Sequence, residues 1–171
     1  MLSGRILVVA FEGWNDATEA ASGAVKAIAE QIQAMTIDAV DPEDYYDFQF
    51  SRPMLELDED GNRTLSWPGT ELMQASKEQI AKIPALDDLY LLIGTEPSRR
   101  WLSFAGEVLE MVQDREIDYV IMLGAMLADV PHTRPMQVFR SSQNPALREL
   151  FDLEASRYEG PVGILTVLSQ A

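Results

Sequence analysis

Polar side chains that can transfer protons or bind anions follow three apolar runs of the sequence. The runs cover residues 6–11, 88–94 and 118–124, and each is followed by a loop that carries acidic, amide, imidazole or guanidinium groups. Carboxylates and imidazoles are suited to proton transfer, and a guanidinium is suited to anion binding. The candidate site residues are Asn15, Asp16, Glu96, Asp129, His132 and Arg134.

The three runs have the pattern of buried strands, and the first, residues 6–11, is continuously apolar and rich in β-branched residues, as is typical of a strand buried on both faces. The first two are followed by amphipathic segments with helical spacing. Such alternation predicts an α/β fold with a mostly parallel sheet, right-handed crossovers and helices on both faces. Ligands of such sheets bind beyond the carboxyl ends of the strands. If the strands are neighbours, the three loops line one crevice.

Helix-start signals follow the first two runs. Asp16 with Glu19 three residues later forms a capping-box pattern before a helix predicted over residues 17–33, and Ser98 is the predicted N-cap of the second helix. The predicted inner stripes are Ala17, Ala20, Ala21, Ala24 and Ile28 in the first helix and Trp101, Phe104, Ala105, Val108 and Val112 in the second.

The remaining segments complete the predicted single domain over residues 1–171. Residues 34–40 and 161–168 are predicted to form further strands. Residues 53–67 contain two short strand-like runs around an Asp-Glu-Asp-Gly-Asn turn, which predicts an antiparallel hairpin flap. A core strand ending three residues before the last residue would lack a covering helix. We therefore expect a piece that is truncated at its C-terminus relative to its family, or one completed by another subunit.

Composition excludes several classes of function. The sequence has 13 Lys and Arg against 28 Asp and Glu, a net charge of −15, which disfavours nucleic acid and anionic membranes as partners. It has no cysteine and one histidine, His132, so Cys-based and paired-His metal sites are impossible. The phosphate-binding, dinucleotide-binding and nucleophile-elbow glycine motifs do not occur. We expect no cofactor and no metal, and a cytoplasmic location, since the first apolar run is too short for a signal peptide.

A strongly acidic segment lies between Asp38 and Asp60, where Arg52 is the only base. It is either a solvated face or a docking surface for a basic partner. Its acidic residues are Asp38, Asp41, Glu43, Asp44, Asp47, Glu56, Asp58, Glu59 and Asp60.

Each candidate site residue also has a structural interpretation. Asp16 can act as a helix cap, Glu96 can favour the positive end of the following helix, and His132 can be a hydrogen-bonded structural histidine. Arg134 can bind an anion or pair with Asp129. Only the convergence of the loops favours a ligand site over these alternatives.

Five ordered segments resemble the bacterial, chiefly actinobacterial, branch of the proteasome assembly chaperone 2 (PAC2) family. The resemblance implies a fold similar to that of purine nucleoside phosphorylases, a three-layer α/β/α sandwich. The segments are residues 11–17 (FEGWNDA), 41–48 (DPEDYYDF) with 52–53 (RP), 94–97 (GTEP) with Trp101, 127–135 (LADVPHTRP) and 158–161 (YEGP).

The resemblance implies a chaperone-like role, because eukaryotic relatives assist assembly of the proteasome α-ring. Two features of the sequence differ from those by which related chaperones dock on proteasomes and related phosphorylases bind phosphate. The chain ends Ser-Gln-Ala instead of the hydrophobic-Tyr-any tail that docks on proteasomes, and its first loop carries Glu12 and Asp16 in place of a Gly-Asp-Pro-x-Arg phosphate site.

We therefore predict a non-enzymatic protein-interaction or assembly-chaperone-like module. Its expected partner is another protein, with proteasome components as one candidate, and it is expected to form a homo-oligomer. The alternative is a small-ligand-binding protein or a hydrolase- or phosphorylase-like enzyme that uses the strand-end crevice. No residue is assigned a catalytic role.

Overall fold

The structure, a computed structural model, describes residues 2–171, which form two compact units. The first contains the chain up to Met126 together with Val162–Ala171, and the second is Leu127–Pro161. The strands, all in the first unit, are β1 (Gly4–Glu12), β2 (Met35–Val40), β3 (Met54–Leu57), β4 (Arg63–Ser66), β5 (Thr70–Gln74), β6 (Leu86–Thr95) and β7 (Tyr119–Met122).

Helices connect and cover these strands. Among residues 2–171, no helix combines the length and the apolar character that crossing a lipid bilayer requires. The helices are α1 (Ala20–Gln31), α2 (Pro42–Tyr45), α3 (Lys77–Ile80), α4 (Trp101–Asp114), α5 (Pro145–Phe151) and α6 (Ile164–Leu168), and a short 3-10 turn, Ala17–Glu19, precedes α1.

The central sheet has the strand order β2-β5-β6-β1-β7. Strand β1 pairs in parallel with both β6 and β7, whereas β5 runs antiparallel to its neighbours β2 and β6. Four of the five strands therefore point the same way, which confirms the mostly parallel sheet. Strands β3 and β4 form a separate antiparallel hairpin, as predicted.

Strand β1 is buried on both faces. Its odd-numbered residues Leu7, Val9 and Phe11 belong to one apolar cluster, and its even-numbered residues Ile6 and Val8 belong to the other. Successive side chains of a strand point to opposite faces, so one strand supplies both clusters. Burial of each large apolar side chain contributes about 1.5–3 kcal/mol.

A different set of helices covers each face of the sheet. Ala21 and Val25 of α1 lie in the cluster beneath the even-numbered residues of β1. On the opposite face, Phe104 of α4 contacts the rings of Phe11 and Tyr45 edge-on, with centroids 5.7 and 5.3 Å apart. Helix α6 lies on this same face. Helices on both sides of the sheet confirm the three-layer α/β/α fold class.

The prediction of a strand over residues 161–168 is wrong, because residues 164–168 form helix α6. Ile164 and Leu165 are buried, and Val167 and Leu168 pack against the same cluster. These apolar residues suit one helix face as well as a strand, and periodicity cannot separate the two in so short a run.

The predicted N-cap of α4 is also wrong. Helix α4 begins after Arg100, which adopts a left-handed conformation (φ 55°), and not after Ser98. The Ser98 hydroxyl instead accepts a hydrogen bond from the backbone N–H of Asp47 at 3.3 Å. The backbone N–H of Ser98 donates to the carbonyl of Tyr45 at 2.9 Å. Ser98 therefore fastens the segment after α2 to the loop before α4.

The second unit contains α5 and otherwise irregular segments. Asn144 caps α5, because its Oδ1 accepts hydrogen bonds from the backbone N–H groups of Ala146 and Leu147 at 2.9 and 3.3 Å. A single parallel bridge joins Ser141 and Glu154 on either side of the helix.

A substitution of Gly94 tests how closely β5 and β6 approach. A Cβ at this position would lie 2.3 Å from the carbonyl oxygen of Gly69 and 2.6 Å from Cα of Thr70. Because backbone atoms cannot yield cheaply, we expect Gly94→Ala to lower the free energy of unfolding by about 2 kcal/mol or more. The control, Gly106→Ala at an exposed position of α4, has open space around the added Cβ and should raise the free energy of unfolding by about 0.5–1 kcal/mol. Urea denaturation measures both, and equal effects would contradict the predicted close approach.

Tyr46 predicts a loss of stability at alkaline pH. Its hydroxyl donates to the carbonyl of Thr95 at 2.8 Å, and burial raises the pKa of Tyr46 to about 12. An unfolded tyrosine ionises near pH 10, so this contribution is complete below pH 10 and is lost as pH rises towards 12. Tyr46→Phe should flatten the decline of the unfolding free energy over that interval. Tyr158→Phe, at an exposed tyrosine, should leave the slope unchanged, and a slope unaltered by Tyr46→Phe would refute the prediction.

Candidate functional site

The loops after β1 and β6 leave the sheet side by side. Phe11 pairs with Gly94 and Glu12 pairs with Thr95 at the carboxyl ends of these parallel strands. The backbone N–H of Glu96 then donates to the carbonyl of Glu12 at 2.9 Å. Parallel pairing in this register therefore brings together the loops that carry three of the predicted site residues, Asn15, Asp16 and Glu96.

The Glu96 carboxylate joins three separate segments. Its Oε1 accepts a hydrogen bond from the backbone N–H of Ile164 at 2.7 Å, at the start of α6. Its Oε2 lies 3.4 Å from the backbone nitrogen of Trp14, which donates to it. A charged acceptor makes stronger hydrogen bonds than a neutral one. Glu96 thus ties the chain before α6 and the loop after β1 to the end of β6.

Asp16 caps helix α1 from a buried position. Only 6% of the residue is exposed, and its Oδ1 accepts hydrogen bonds from the backbone N–H groups of Ala21 and Ser22 at 2.7 and 3.2 Å. These donors belong to the first turn of the helix and have no partner within it. The predicted capping role of Asp16 is confirmed, although at different donors from those of the predicted capping box.

The capping box itself does not form, because Thr18 and Glu19 both adopt left-handed conformations with φ of 58° and 55°. Helix α1 begins only at Ala20. Two consecutive left-handed residues other than glycine are uncommon, since the Cβ atom crowds the backbone. The surrounding contacts, above all the Asp16 cap, therefore hold this loop in a conformation that the local sequence does not favour.

Two oxygen atoms of this loop are buried without a hydrogen-bond partner among residues 2–171. They are Oδ1 of Asn15 and Oδ2 of Asp16. A Cβ on Gly163 would lie 2.1 Å from Asn15 Oδ1 and 2.7 Å from Glu96 Oε1, so glycine leaves room for both oxygens there. The cluster therefore combines hydrogen-bond acceptors with unused capacity.

The loop after β7 is attached to the same cluster. The backbone N–H of Ala125 donates to the carbonyl of Asn15 at 2.7 Å, and the N–H of Ala17 donates to the carbonyl of Ala125 at 3.1 Å. Together these bonds make a short parallel bridge between Asp16 and Ala125. The loops after all three predicted strands thus start from the same sheet edge.

The chemistry of this cluster is that of acceptors. Oδ1 of Asn15 and the carboxylates of Asp16 and Glu96 favour groups that donate N–H or O–H bonds, and the two carboxylates repel phosphate. No grouping of three or more His, Cys, Asp or Glu residues suited to a metal ion occurs in the part of the chain that the structure describes.

The other three predicted site residues belong to the second unit. Asp129, His132 and Arg134 are exposed in the irregular segment that precedes α5. The backbone N–H of Arg134 donates to the carbonyl of Pro131 at 3.0 Å, which closes a turn around His132. Of the two alternatives for Arg134, the ion pair with Asp129 does not occur, since the two side chains form no salt bridge in the described structure. Their participation in a ligand site stays a prediction.

Sequence reasoning missed the contribution of Gly163 and Ile164. Both lie in the segment whose apolar pattern predicts a strand, and no pattern in the sequence indicates a hydrogen bond from Ile164 to Glu96. The signal in the sequence is weak: a glycine directly before an apolar run is compatible with a helix start as well as a strand start. Only the contact between distant segments identifies their role.

The chain is similar to several known proteins. Residues 10–171 match the model of the PAC2 family. The crystal structure of a PAC2 family protein from Streptomyces avermitilis is 40% identical, with a TM-score of 0.84 over 97% of this chain and 68% of that one. The crystal structure of a Mycobacterium tuberculosis proteasome-assembly chaperone homologue is also 40% identical, with a TM-score of 0.82 over 96% of this chain and 68% of that one.

A more distant structure shares the fold. It is a Corynebacterium glutamicum protein of unknown function, 22% identical, with a TM-score of 0.77 over 99% of this chain and 61% of that one. Comparison with curated proteins gives no match.

Glu96 provides a test of how the strand-end loops are held. We expect Glu96→Ala to lower the free energy of unfolding by about 1.5–3 kcal/mol, because the N–H of Ile164 loses a charged acceptor. Glu96→Gln keeps one acceptor oxygen and should lower it by less. Glu110→Ala, which removes an exposed carboxylate of α4, should change it by less than about 0.5 kcal/mol. Equal unfolding midpoints for Glu96→Ala and Glu110→Ala in urea would show that the carboxylate does not fasten α6.

Proposed function

The chain belongs to the PAC2 family, and from this premise we propose that it is a non-enzymatic, assembly-chaperone-like protein that acts by binding other proteins. The observation that carries the proposal is the 40% identity, over 96% of this chain, to a structure described as a proteasome-assembly chaperone homologue. Proteasome components are the proposed partner class. Self-association and the cytoplasmic location predicted from the sequence belong to the same proposal.

The geometry of the strand-end loops supports a binding role over catalysis. Glu96 uses both carboxylate oxygens to hold backbone N–H groups, and Asp16 uses one oxygen to cap α1. Glu96 is therefore poorly placed to act as a general base, which needs a free lone pair directed at a substrate proton, whereas Oδ2 of Asp16 has no partner among residues 2–171. These two carboxylates therefore support the shape of the sheet edge that the loops form.

Affinity capture tests the proposed function. We expect the tagged chain to recover proteasome subunits near stoichiometry from a lysate of its source organism, as read by quantitative mass spectrometry. The same capture with Gly94→Ala, in which the fold is weakened, should recover less and controls for non-specific adsorption. Absence of every protein partner would contradict the proposal. Light scattering on the purified chain tests self-association separately, and a monomer at all concentrations would exclude it.

One observation favours a second function, the binding of a small ligand that donates hydrogen bonds. It is the presence of two buried oxygens, Oδ1 of Asn15 and Oδ2 of Asp16, that have no hydrogen-bond partner among residues 2–171. Thermal-shift measurements with adenosine and with spermidine test this function, with inorganic phosphate as the anionic control. We expect stabilisation by one of the donors, its loss in Asn15→Ala, and no stabilisation by phosphate. No shift with either donor would exclude binding of these two donor classes at the cluster.

A further inference from the structure

The β3–β4 hairpin has one apolar face. In its antiparallel register Leu55 lies opposite Leu65 and Leu57 lies opposite Arg63, and directly opposed residues project to the same face. Trp67 follows Leu65 by two positions and therefore continues this face. The other face carries Met54, Glu56, Thr64 and Ser66. This face therefore carries four large apolar side chains and one exposed cation, Arg63, which lies next to the turn.

Nothing among residues 2–171 buries this face. The exposed fractions are 50% for Leu55, 70% for Leu57, 57% for Leu65 and 52% for Trp67. A two-stranded hairpin alone is marginally stable in water, and an exposed contiguous apolar surface marks an interaction site. We name the four side chains Leu55, Leu57, Leu65 and Trp67 the hairpin face.

The hairpin is anchored at its base. The ring of Trp67 meets Phe48 edge-on with centroids 5.0 Å apart, and Phe48 packs against the buried cluster of the central sheet. One end of the hairpin face is thereby held by the core of the first unit. A surface that is held at its base loses less conformational freedom when it binds than a free loop would lose.

The tip of the hairpin is acidic. The Asp58 carboxylate accepts hydrogen bonds from the backbone N–H groups of Asn62 and Asp60 at 2.7 and 3.0 Å, and the bonds from Asn62 in particular lower the pKa of Asp58. The side chains of Glu59 and Asp60 are exposed and make no hydrogen bond within the described part of the chain. Asp58 thus shapes the turn, while the other two carboxylates are free to face a partner.

We propose that the hairpin face, with the acidic tip formed by Asp58, Glu59 and Asp60, docks a different protein whose apolar surface is bordered by Lys and Arg side chains. The inference rests on the proposed function and names the surface and the partner chemistry that serve it. Opposite charges at the rim would steer association and fix the orientation, and burial of the hairpin face would supply affinity.

The charge of the hairpin disfavours a second copy of the chain, nucleic acid and anionic lipid as binding partners at this surface. Two copies joined through their hairpins would bring their acidic tips together, which repulsion between like charges disfavours at this surface. Phosphate-rich nucleic acid and anionic lipid are repelled by the same carboxylates. A basic protein surface is the occupant that complements both the apolar face and the tip.

Site-specific photo-crosslinking tests the docking surface. A photo-crosslinking amino acid is placed at Leu57, on the hairpin face, or at Leu102, an 85% exposed control position on α4, in the full chain. Irradiation in a lysate of the source organism is followed by identification of the crosslinked peptides. We expect a crosslink from position 57 to a different protein, within a segment that contains Lys or Arg, and none to that segment from position 102.

Two charge-reversal variants of equal net charge separate local from overall electrostatics. Glu59→Lys with Asp60→Lys should lower the crosslink yield from position 57 at least five-fold, and raising NaCl from 0.05 to 0.5 M should do the same because salt screens exposed charges. Glu110→Lys with Asp114→Lys on α4 should change the yield less than two-fold. Thermal unfolding confirms that both variants are folded.

The outcomes distinguish the docking surface from the proposed function. Three outcomes would overturn the docking surface and leave the proposed function standing. They are an equal loss of crosslink yield in both charge-reversal variants, a crosslink to a second copy of the chain, and a partner that the tagged chain captures but that never crosslinks from position 57. No partner in either experiment would overturn the proposed function and the docking surface together.

Discussion

The burial of β1 on both faces, between two parallel neighbours, is the constraint on which the rest of the structure depends. Its backbone hydrogen bonds are made to β6 and β7, so apolar side chains on either face require a covering layer. Helix α1 covers one face, and α4 with α6 covers the other. Because the three strands are parallel, their carboxyl ends share one edge, and the loops that leave them meet there.

Two surfaces of different character result from this arrangement. At the sheet edge, polar groups are directed inwards, and Asp16 and Glu96 satisfy backbone N–H groups at the starts of α1 and α6. At the hairpin, apolar groups are directed outwards above an acidic turn. The first surface rigidifies the protein. The second leaves apolar area exposed to water, which is unfavourable in the monomer and is relieved only when a partner buries that area.

Helix α1 shows how local patterns predict the element but not its exact register. The predicted helix over residues 17–33 is present as Ala20–Gln31, and Asp16 caps it. Of the predicted inner stripe, Ala21 is buried and Ile28 packs against the same cluster, whereas Ala20 and Ala24 are exposed. Ser22 and Val25 are buried instead. The left-handed conformations of Thr18 and Glu19 delay the helix start and rotate the inner face, and no propensity scale anticipates two such residues in succession.

The sequence by itself predicted β1, β2, β6, β7, the hairpin and the family resemblance, because apolar runs, turn residues and ordered motifs are local signals, but its patterns did not indicate β5. Tertiary structure decided that residues 164–168 form a helix and that Glu96 binds the N–H of Ile164, 68 residues further along the chain. A five-residue apolar run satisfies either secondary structure, and the core into which Ile164 and Leu165 pack selects one. Contacts between distant segments carry no local signature, so only the folded chain reveals them.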